Sequence, residues 1–369
     1  MQKTIAELIS AVPTLDREAM DKARAHQAQL AKPPGSLGVL EDLSVQLAGI
    51  SGRVINEIRK SRVLVFAADN GVIAEGVSSA PQSVTAAQTV NLTRGKTGAA
   101  VLCRQFGCEL TVVDVGVNAE IREKAVFNRK IAYGTSNIAV GPAMSCKQAE
   151  RALLIGAEFA ETAAAEGMDV IGVGEMGIGN TTTSSAVLAV LLGTNAETVT
   201  GRGGGLTDEG FQKKLRVIER AVSVNRPDAA DVLDVLAKVG GFDLAAMTGA
   251  FLGAAASRIP VVIDGFISAV AALCAVRLCP AVRGYLIPSH ASYEIGYRLA
   301  MEAMKLRPIL QLGMRLGEGS GCPLAFEVLK ASCAVIRNMA TFDEAEIDDG
   351  YLEEIRTGDK FSVKGGDGS

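Results

Sequence analysis

Four apolar runs of strand length, each followed by an acidic residue, place the strongest constraint on how this chain folds. The runs and the carboxylates that follow them are Val63–Ala68 with Asp69, Leu110–Val113 with Asp114, Val170–Gly174 with Glu175, and Val261–Ile263 with Asp264. Continuous apolar runs of this length are typical of strands buried on both faces. The helical segments predicted between them are about Ser83–Phe106, Cys146–Glu166, Thr182–Leu192 and Ser268–Arg277. Strands that alternate with helices predict an α/β fold built on a parallel sheet.

The four carboxylates indicate where such a sheet would bind a ligand. In open α/β sheets the ligand crevice lies outside the carboxyl ends of the strands. Asp69, Asp114, Glu175 and Asp264 are therefore expected to converge on one edge. Acidic residues also cap helices, so we expect one or two of the four to act only as caps.

The N-terminal part of the chain predicts helices separated by a break. Asp16 can cap a helix that runs to Leu30, with Glu18 in its first turn. A second amphipathic helix fits Leu40–Leu47. Between them, Lys32–Gly38 reads Lys-Pro-Pro-Gly-Ser-Leu-Gly and interrupts the pattern. This break is either a linker or an ordered loop that binds substrate.

Composition excludes several functional classes. The net charge of -4 and the pI of about 5.5 argue against a polyanionic partner such as nucleic acid. No apolar stretch is long enough to span a membrane, and the first residues lack the pattern of a signal peptide. The seven cysteines form no C-x-x-C pair, which predicts reduced thiols in the cytoplasm. With two histidines and no zinc-type cysteine spacing, no metal site is predicted.

A glycine-rich stretch after the third apolar run has two interpretations. Gly172–Gly177 matches the dinucleotide pattern G-x-G-x-x-G, which is weak evidence alone. Glu175 within it would place a negative charge beside a pyrophosphate. The continuation, with Asn180 and Thr181 at the start of a helix, offers backbone N–H and hydroxyl donors at the positive end of a helix dipole. This part predicts a phosphate site, with an ordinary helix cap as the alternative.

A second glycine-rich turn precedes a pair of lysines. Thr200–Gly205 contains Gly203, and Lys213 and Lys214 follow on a predicted helix. A lysine at this place can bind phosphate as a point charge. The alternative is a solvated helix face. His290 is predicted to be structural rather than a ligand.

Near the C-terminal end, Glu318 stands between two glycines, with Arg315 just upstream. Glycine permits backbone conformations closed to other residues and allows the backbone to come close to a ligand. Pro323 is suited to a first helical turn and predicts a helix that runs to about Asn338. Glu318 is therefore a candidate catalytic base. The alternative is a solvated glutamate in a loop that starts a helix, and the spacing alone does not choose between them.

Seven motifs together resemble one family, the nicotinate-nucleotide:dimethylbenzimidazole phosphoribosyltransferases. The motifs are Lys32–Gly38, Ala68–Gly71, Asn137–Met144, Gly174–Thr182, Lys238–Leu244, Ile263–Phe266 and Arg315–Gly321. They occur in order from about residue 30 to residue 340, so the resemblance covers nearly the whole chain.

The resemblance implies an activity and an architecture. The activity is transfer of the phosphoribosyl group of nicotinate mononucleotide to 5,6-dimethylbenzimidazole, which gives α-ribazole 5′-phosphate and nicotinate for the cobalamin lower ligand. The family is homodimeric and needs no cofactor or metal. The fold implied is a Rossmann-like parallel sheet flanked by helices, with a smaller helical domain formed by both chain ends. We place the catalytic domain at 40–322 and the helical domain at 1–39 and 323–369, with a partly disordered tail.

Carried over to this chain, the resemblance assigns roles to four residues. Glu318 matches the catalytic base, and Glu175 matches a second acidic residue at the ribose and phosphate. Lys214 matches a lysine that contacts phosphate, and Gln88 lines the benzimidazole pocket. The predicted substrate-binding residues are Gln88, Gly177, Asn180, Thr181, Gly203, Lys214, Asp264, Arg315 and Leu316.

Two departures from the family, and two other functions, remain. This chain has Asn70 and Ala80 where the family has His and Ser, and both positions bear on the choice of acceptor base.

A Rossmann oxidoreductase would rest on Gly172–Gly177 alone. A non-catalytic carrier of a benzimidazole or its ribotide would hold the aromatic base without needing both Glu318 and a phosphate loop. Incubation with nucleotide and base, followed by product analysis, separates a carrier from an enzyme.

Overall fold

The computed structural model describes residues 3–203 and 205–352 of the 369-residue chain. The chain divides into two compact units, Met1–Thr14 with Arg59–Glu327 and Leu15–Ile58 with Val328–Ser369. The predicted domains had other limits, at residues 40 and 322, and the first helix belongs to the larger unit. That domain division stays a prediction. The predicted tail disorder falls after residue 352, outside the described residues.

The larger unit is built on a parallel sheet, as the apolar runs predict. Its described strands are β1 Ser61–Ala68, β2 Glu109–Gly116, β3 Val126–Asn128, β4 Val170–Met176, β5 Val261–Ile263 and β6 Leu286–Pro288. They follow the order β3-β2-β1-β4-β5-β6, and each neighbouring pair is parallel. This confirms the α/β class. Strands β3 and β6, of three residues each, were not predicted.

The strand order places a ligand crevice between β1 and β4. The chain winds outward in one direction from β1 to β3 and in the other direction from β4 to β6. Helices on either side of such a switch point diverge and leave space above the strand ends. In the register of β1 with β4, Phe66 pairs with Glu175, so Glu175 lies at the carboxyl end of the sheet. Sequence and topology therefore agree on which edge of the sheet carries the candidate site.

Helices precede the sheet, lie between its strands and follow its last strand. In chain order they are α1 Ile5–Ser10, α2 Arg17–Gln29, α3 Val39–Ser51, α4 Ser83–Thr93, α5 Gly98–Phe106, α6 Cys146–Ala165, α7 Asn180–Leu192, α8 Ala196–Val199, α9 Asp208–Asn225, α10 Val232–Val239, α11 Phe242–Ala256, α12 Phe266–Leu278, α13 Ile295–Met304 and α14 Cys322–Asn338. The single helix predicted over Ser83–Phe106 is two, because Thr97 ends the break between them by accepting the Ala100 N–H as the N-cap of α5. No described helix is long and apolar enough to cross a membrane.

The smaller unit contains α2, α3 and the second part of α14. Asp16 caps α2 by accepting the Ala19 N–H, as predicted. The Lys-Pro-Pro-Gly segment forms a defined turn in which the buried Lys32 pairs with Glu41 at 2.8 Å. The apolar core of this unit joins Ala19, Ala23, Val45, Ala48 and Ile336.

Candidate active site

A cavity of about 270 Å³ lies at the carboxyl end of the sheet. Predicted site residues from five separate stretches of the chain line it: Gln88, Glu175, Gly177, Asn180, Thr181, Gly203, Asp264, Arg315, Leu316 and Glu318. Lys214 lies just behind Thr181 and is described below. The structure thus brings the whole predicted set together, while the role of each residue stays a prediction.

Two of the four strand-end carboxylates lie elsewhere. Asp69 accepts the backbone N–H of Asn118 at 2.7 Å. Asp114 accepts the N–H groups of Gly116 and Val117 and pairs with Lys130 at 2.8 Å. These two side chains fasten the loops after β1 and β2. The expectation that one or two of the four cap a helix is wrong, because these carboxylates hold loop backbone instead.

The loop that carries Glu318 has an unusual backbone. Gly317, Glu318 and Gly319 have φ values of 85°, 63° and 80°. The left-handed region costs a non-glycine residue on the order of 1–3 kcal/mol, so the surrounding structure must hold it there. Asp264 does so by accepting the N–H of Gly319 at 3.0 Å and that of Gly321 at 2.7 Å.

The same loop is pressed against the central strand of the sheet. A Cβ atom on Gly174 of β4 would lie 2.3 Å from the backbone nitrogen of Gly319. A side chain at position 174 would therefore displace the loop. The glycine in the middle of an apolar run is explained by this close approach rather than by a dinucleotide.

The carboxylate of Glu318 is buried, with the residue only 5% exposed. It accepts the backbone N–H of Ala99 at 3.2 Å and the side-chain amide of Gln88 at 3.4 Å. Ala99 lies in the first turn of α5, where the helix dipole favours a negative charge. These contacts exclude the solvated glutamate. The helix predicted after it begins at Cys322, with Pro323 in its first turn.

Glu175 forms part of a buried acidic pair. The Asn180 side-chain amide donates to Glu175 Oε2 and, at 3.1 Å, to Asp243 Oδ2. Burial, followed by the charge of Asp243, raises the pKa of Glu175 to about 8. Burial raises the pKa of Asp243 to about 6. Below pH 8, Glu175 is therefore mainly protonated in the ligand-free protein.

Asp243 was not predicted as a site residue. A signal was present in the glycine pair before it, because a Cβ atom on Gly241 would lie 2.4 Å from Asp243 Oδ1. A Cβ atom on Gly177 would lie 2.8 Å from the other carboxylate oxygen. Both glycines leave room for the buried carboxylate, but their purpose is visible only once the loops meet.

Asp264 and His290 form the floor beneath the Glu318 loop. Burial raises the pKa of Asp264 to about 7 and lowers the pKa of His290 to about 4. His290 is therefore a neutral imidazole, 4.0 Å from Asp264 and 3.0 Å from the hydroxyl of Ser289. His290 also lines the cavity, and its structural role stays a prediction. Within residues 3–203 and 205–352, no group of three or more His, Cys, Asp or Glu side chains is placed to hold a metal.

A buried cation lies behind Thr181, which lines the cavity. Lys214 is 1% exposed, and its Nζ donates to Thr181 Oγ1 at 3.0 Å and to the carbonyl of Gly201 at 3.2 Å. Burial lowers its pKa to about 8, so it is mainly protonated at neutral pH. Lys213 lies elsewhere, with its Nζ next to Gly76. The geometry favours Lys214 of the two.

The start of α7 faces the same space. Its N-cap residue is Gly179, with φ of 95° and no side-chain cap. Asn180 and Thr181 are the first two helical residues, so they do not cap the helix themselves. Backbone N–H groups in a first turn, the helix dipole and a nearby lysine together suit a phosphate.

The third wall comes from α4 and the segment before it. Ser78, Ser79, Ala80, Val84 and Gln88 line the cavity there. Two of these five side chains, Ala80 and Val84, are apolar. Ala80 faces the ligand space, so the absence of a hydroxyl at this position changes what a base can contact.

Asn70 is fully buried, and its Oδ1 accepts the Thr183 hydroxyl at 3.1 Å. It lies outside the set of residues that line the cavity. The two departures from the family thus differ in kind: Ala80 lies at the ligand surface and Asn70 behind it.

A family model and several relatives match this chain over most of its length. A family model described as phosphoribosyltransferase (DBI_PRT) matches residues 12–347. The chain is 49% identical over 357 residues to the nicotinate-nucleotide–dimethylbenzimidazole phosphoribosyltransferase of Clostridium perfringens, covering 97% of this chain and 99% of the relative. It is 48% identical over 345 residues to the protein of that name from Ruminiclostridium cellulolyticum, covering 94% and 98%.

Solved structures show the same similarity. The crystal structure of the protein of that name from Thermus thermophilus aligns with a TM-score of 0.86 and 41% identity, covering 91% of this chain and all of that one. The crystal structure of CobT from the same organism gives 0.87 and 42%, covering 90% and 100%.

Proposed function

Because this chain belongs to the phosphoribosyltransferase family that matches residues 12–347, we propose that it transfers the phosphoribosyl group of nicotinate mononucleotide to 5,6-dimethylbenzimidazole. The products are α-ribazole 5′-phosphate and nicotinate. The observation that carries the proposal is one cavity lined by the buried carboxylate of Glu318 and by Thr181 and Gly203, with the buried cation of Lys214 directly behind Thr181. A ribose phosphate needs both a cation for its phosphate and space for chemistry at its anomeric carbon.

Glu318 is the proposed base. A ring nitrogen of the acceptor bonds to the anomeric carbon, while the carbon–nitrogen bond to nicotinate breaks and its electron pair leaves with nicotinate. The acceptor ring must then lose its N–H proton. Glu318 is held for this task by Ala99 and Gln88, and a positioned general base contributes roughly 10²–10⁴-fold to rate.

Glu175 is proposed to respond to charge at the sugar. In the ligand-free protein it is mainly protonated below pH 8, so it does not repel an incoming phosphate. As nicotinate departs, the sugar gains oxocarbenium character. The carbonyl oxygen of the neutral carboxyl group carries partial negative charge and stabilises this developing positive charge without a proton transfer.

Lys214, Thr181 and the first turn of α7 are proposed to bind the phosphate, and the wall that contains Ala80 and Gln88 to bind the base. The oxidoreductase interpretation rested on the glycines of β4. The contact of Gly174 with Gly319 explains one of them without a dinucleotide, and the relatives at 48% and 49% identity carry the transferase name.

Glu318→Gln tests the proposal. The exchange keeps the side-chain shape and one acceptor oxygen for Ala99, so the fold and nucleotide binding should persist. Turnover of nicotinate mononucleotide and base, measured by chromatography of the ribotide product, should fall by about 10²–10⁴-fold. The matched control is Glu302→Gln on α13, whose side chain is 60% exposed and should leave turnover unchanged. Near-normal turnover by Glu318→Gln would reject the assignment of Glu318 as the base. A wild-type protein that binds both ligands but forms no product would indicate a carrier.

We also propose that the protein acts as a homodimer in the cytoplasm. No disulfide joins any of the seven cysteines, all of which lie within the described residues, and this supports a reducing compartment. Exposed apolar side chains such as Tyr133 and Val140 offer surface for a second copy. Light scattering after gel filtration would give the mass of one chain if the dimer proposal is wrong.

A further inference from the structure

Asp243 stands behind the cavity but is joined to it by a single side chain. The Asn180 amide donates one hydrogen bond to Glu175, which lines the cavity, and one to Asp243, which does not. Asp243 is fully buried and also accepts the N–H of Leu244 at 2.9 Å. An amide group with both hydrogens committed cannot rotate without losing a bond to a buried carboxyl group.

We propose that Asp243 is a positioning residue for the phosphoribosyl transfer: through the Asn180 amide it orients Glu175 toward the cavity and holds one proton within the Glu175–Asp243 pair. The inference rests on the proposed function, because it takes a ribose phosphate as the ligand that Glu175 meets.

The neighbours of Glu175 explain why a proton stays in the pair. Asp243 on α11 and Asp264 after β5 are the carboxyl groups whose charge acts on Glu175, and each is negative when it is ionised. Asn180 on α7 and the backbone N–H of Glu318 donate to it. Neutral donors soften but do not cancel the repulsion between two buried carboxylates, so ionisation of both is costly.

The pair therefore passes through a state with one proton. Asp243 loses its proton near pH 6, and its charge then helps to keep Glu175 protonated up to about pH 8. At neutral pH, the negative charge lies on the carboxylate farther from the cavity, and the neutral carboxyl group faces the substrate. A phosphoribosyl dianion can then enter without meeting a second anion at Glu175.

Asp243→Asn removes the charge and keeps the size of the side chain. The carboxyl resonance of Glu175 in ¹³C-glutamate-labelled, ligand-free protein, assigned by its loss in Glu175→Gln, gives the ionisation directly. We expect its inflection near pH 8 in the wild type and about one pH unit lower in Asp243→Asn. Equal inflections in two folded proteins would overturn the inference. Asp243→Ser removes the same charge with a smaller group and serves as the second variant.

The wild type alone decides the question if neither variant folds. A Glu175 carboxyl that titrates below pH 6 in the wild type would overturn the shared proton. A main inflection of this resonance near pH 8, together with a smaller step near pH 6 as Asp243 ionises, would support it. This measurement uses no nucleotide, so its result is independent of the proposed function.

The functional consequence is read from nucleotide binding. Calorimetric Kd values for nicotinate mononucleotide between pH 6 and 9 should rise as Glu175 ionises, and the rise should begin at lower pH in Asp243→Asn. Deprotonation of Lys214 contributes to both proteins alike. In the Glu175→Gln background, Asp243→Asn should no longer move the profile; a shift that persists there would refute action through Glu175. A wild type that binds no mononucleotide at any pH would reject the proposed function instead.

Discussion

Replacing Glu175 by Gln should stabilise the protein at neutral pH, by an amount that grows as the pH rises. Burial and the charge of Asp243 raise the pKa of Glu175 from 4.5 to about 8. Between these values the folded protein binds more protons than the unfolded chain, so stability falls as pH rises through that window. One unit of pKa corresponds to about 1.4 kcal/mol. At pH 7 the wild type therefore carries a penalty of about 3 kcal/mol, which the uncharged Gln removes.

The exchange has a cost that does not depend on pH. Gln keeps one acceptor oxygen for Asn180 but loses the other, at about 1 kcal/mol. Glu175→Gln should thus be slightly less stable than the wild type near pH 5 and about 2 kcal/mol more stable at pH 7. The pH dependence of the difference, rather than its value at one pH, identifies the carboxyl group as the source.

Thermal unfolding of both proteins from pH 5 to pH 8.5 provides the assay. Titrating groups that do not interact with Glu175 affect both proteins equally, so the difference in midpoint reports on Glu175 together with its partner Asp243. Glu302→Gln, on an exposed helix surface, should show a small difference that does not change with pH. A Glu175→Gln difference that stays flat across this range would refute the argument that burial holds Glu175 protonated.

Two further predictions concern the groups around the pair. Asp264→Asn keeps one acceptor for the N–H groups of Gly319 and Gly321 and loses the other; we expect a loss of about 1.5–3 kcal/mol in thermal stability and a fall in kcat larger than the change in KM. Equal kcat would show that this carboxylate does not hold the Glu318 loop. Lys214→Met fills the same space without charge and should weaken binding of nicotinate mononucleotide by roughly 10–100-fold in calorimetry, while dimethylbenzimidazole binds as before. An unchanged affinity for the nucleotide would show that Lys214 does not bind its phosphate.

The parts of the fold that sequence predicts are those with long local signals. Strands β1, β2, β4 and β5 each appear as an apolar run, because burial on both faces requires apolar side chains throughout. Strands β3 and β6 have three residues each, too few for a pattern to stand out. The division between α4 and α5 was missed because Thr97 resumes the helix after a break that is short compared with the helices around it.

Motifs in the sequence predicted which residues form the candidate site. They did not predict the pKa shifts of its buried carboxyl groups. Glycines beside Glu318 indicated a close backbone approach, but only the fold shows that the partner is Gly174. Asp69 and Asp114 share the strand-end position of Glu175 and Asp264, yet they hold loops. Chain position places a carboxylate at an edge of the sheet, whereas the direction of its side chain depends on which loops fold back over it.

The contact between Gly174 and Gly319 also limits how the enzyme can be redesigned. One wall of the cavity is bound to the middle of the sheet, so random mutagenesis of residues 317–319 should yield almost only inactive clones. The wall that contains Ala80 belongs to a loop and a single helix rather than to a strand of the sheet. Laboratory evolution toward bulkier or more polar acceptors should therefore draw its surviving substitutions from residues 78–88.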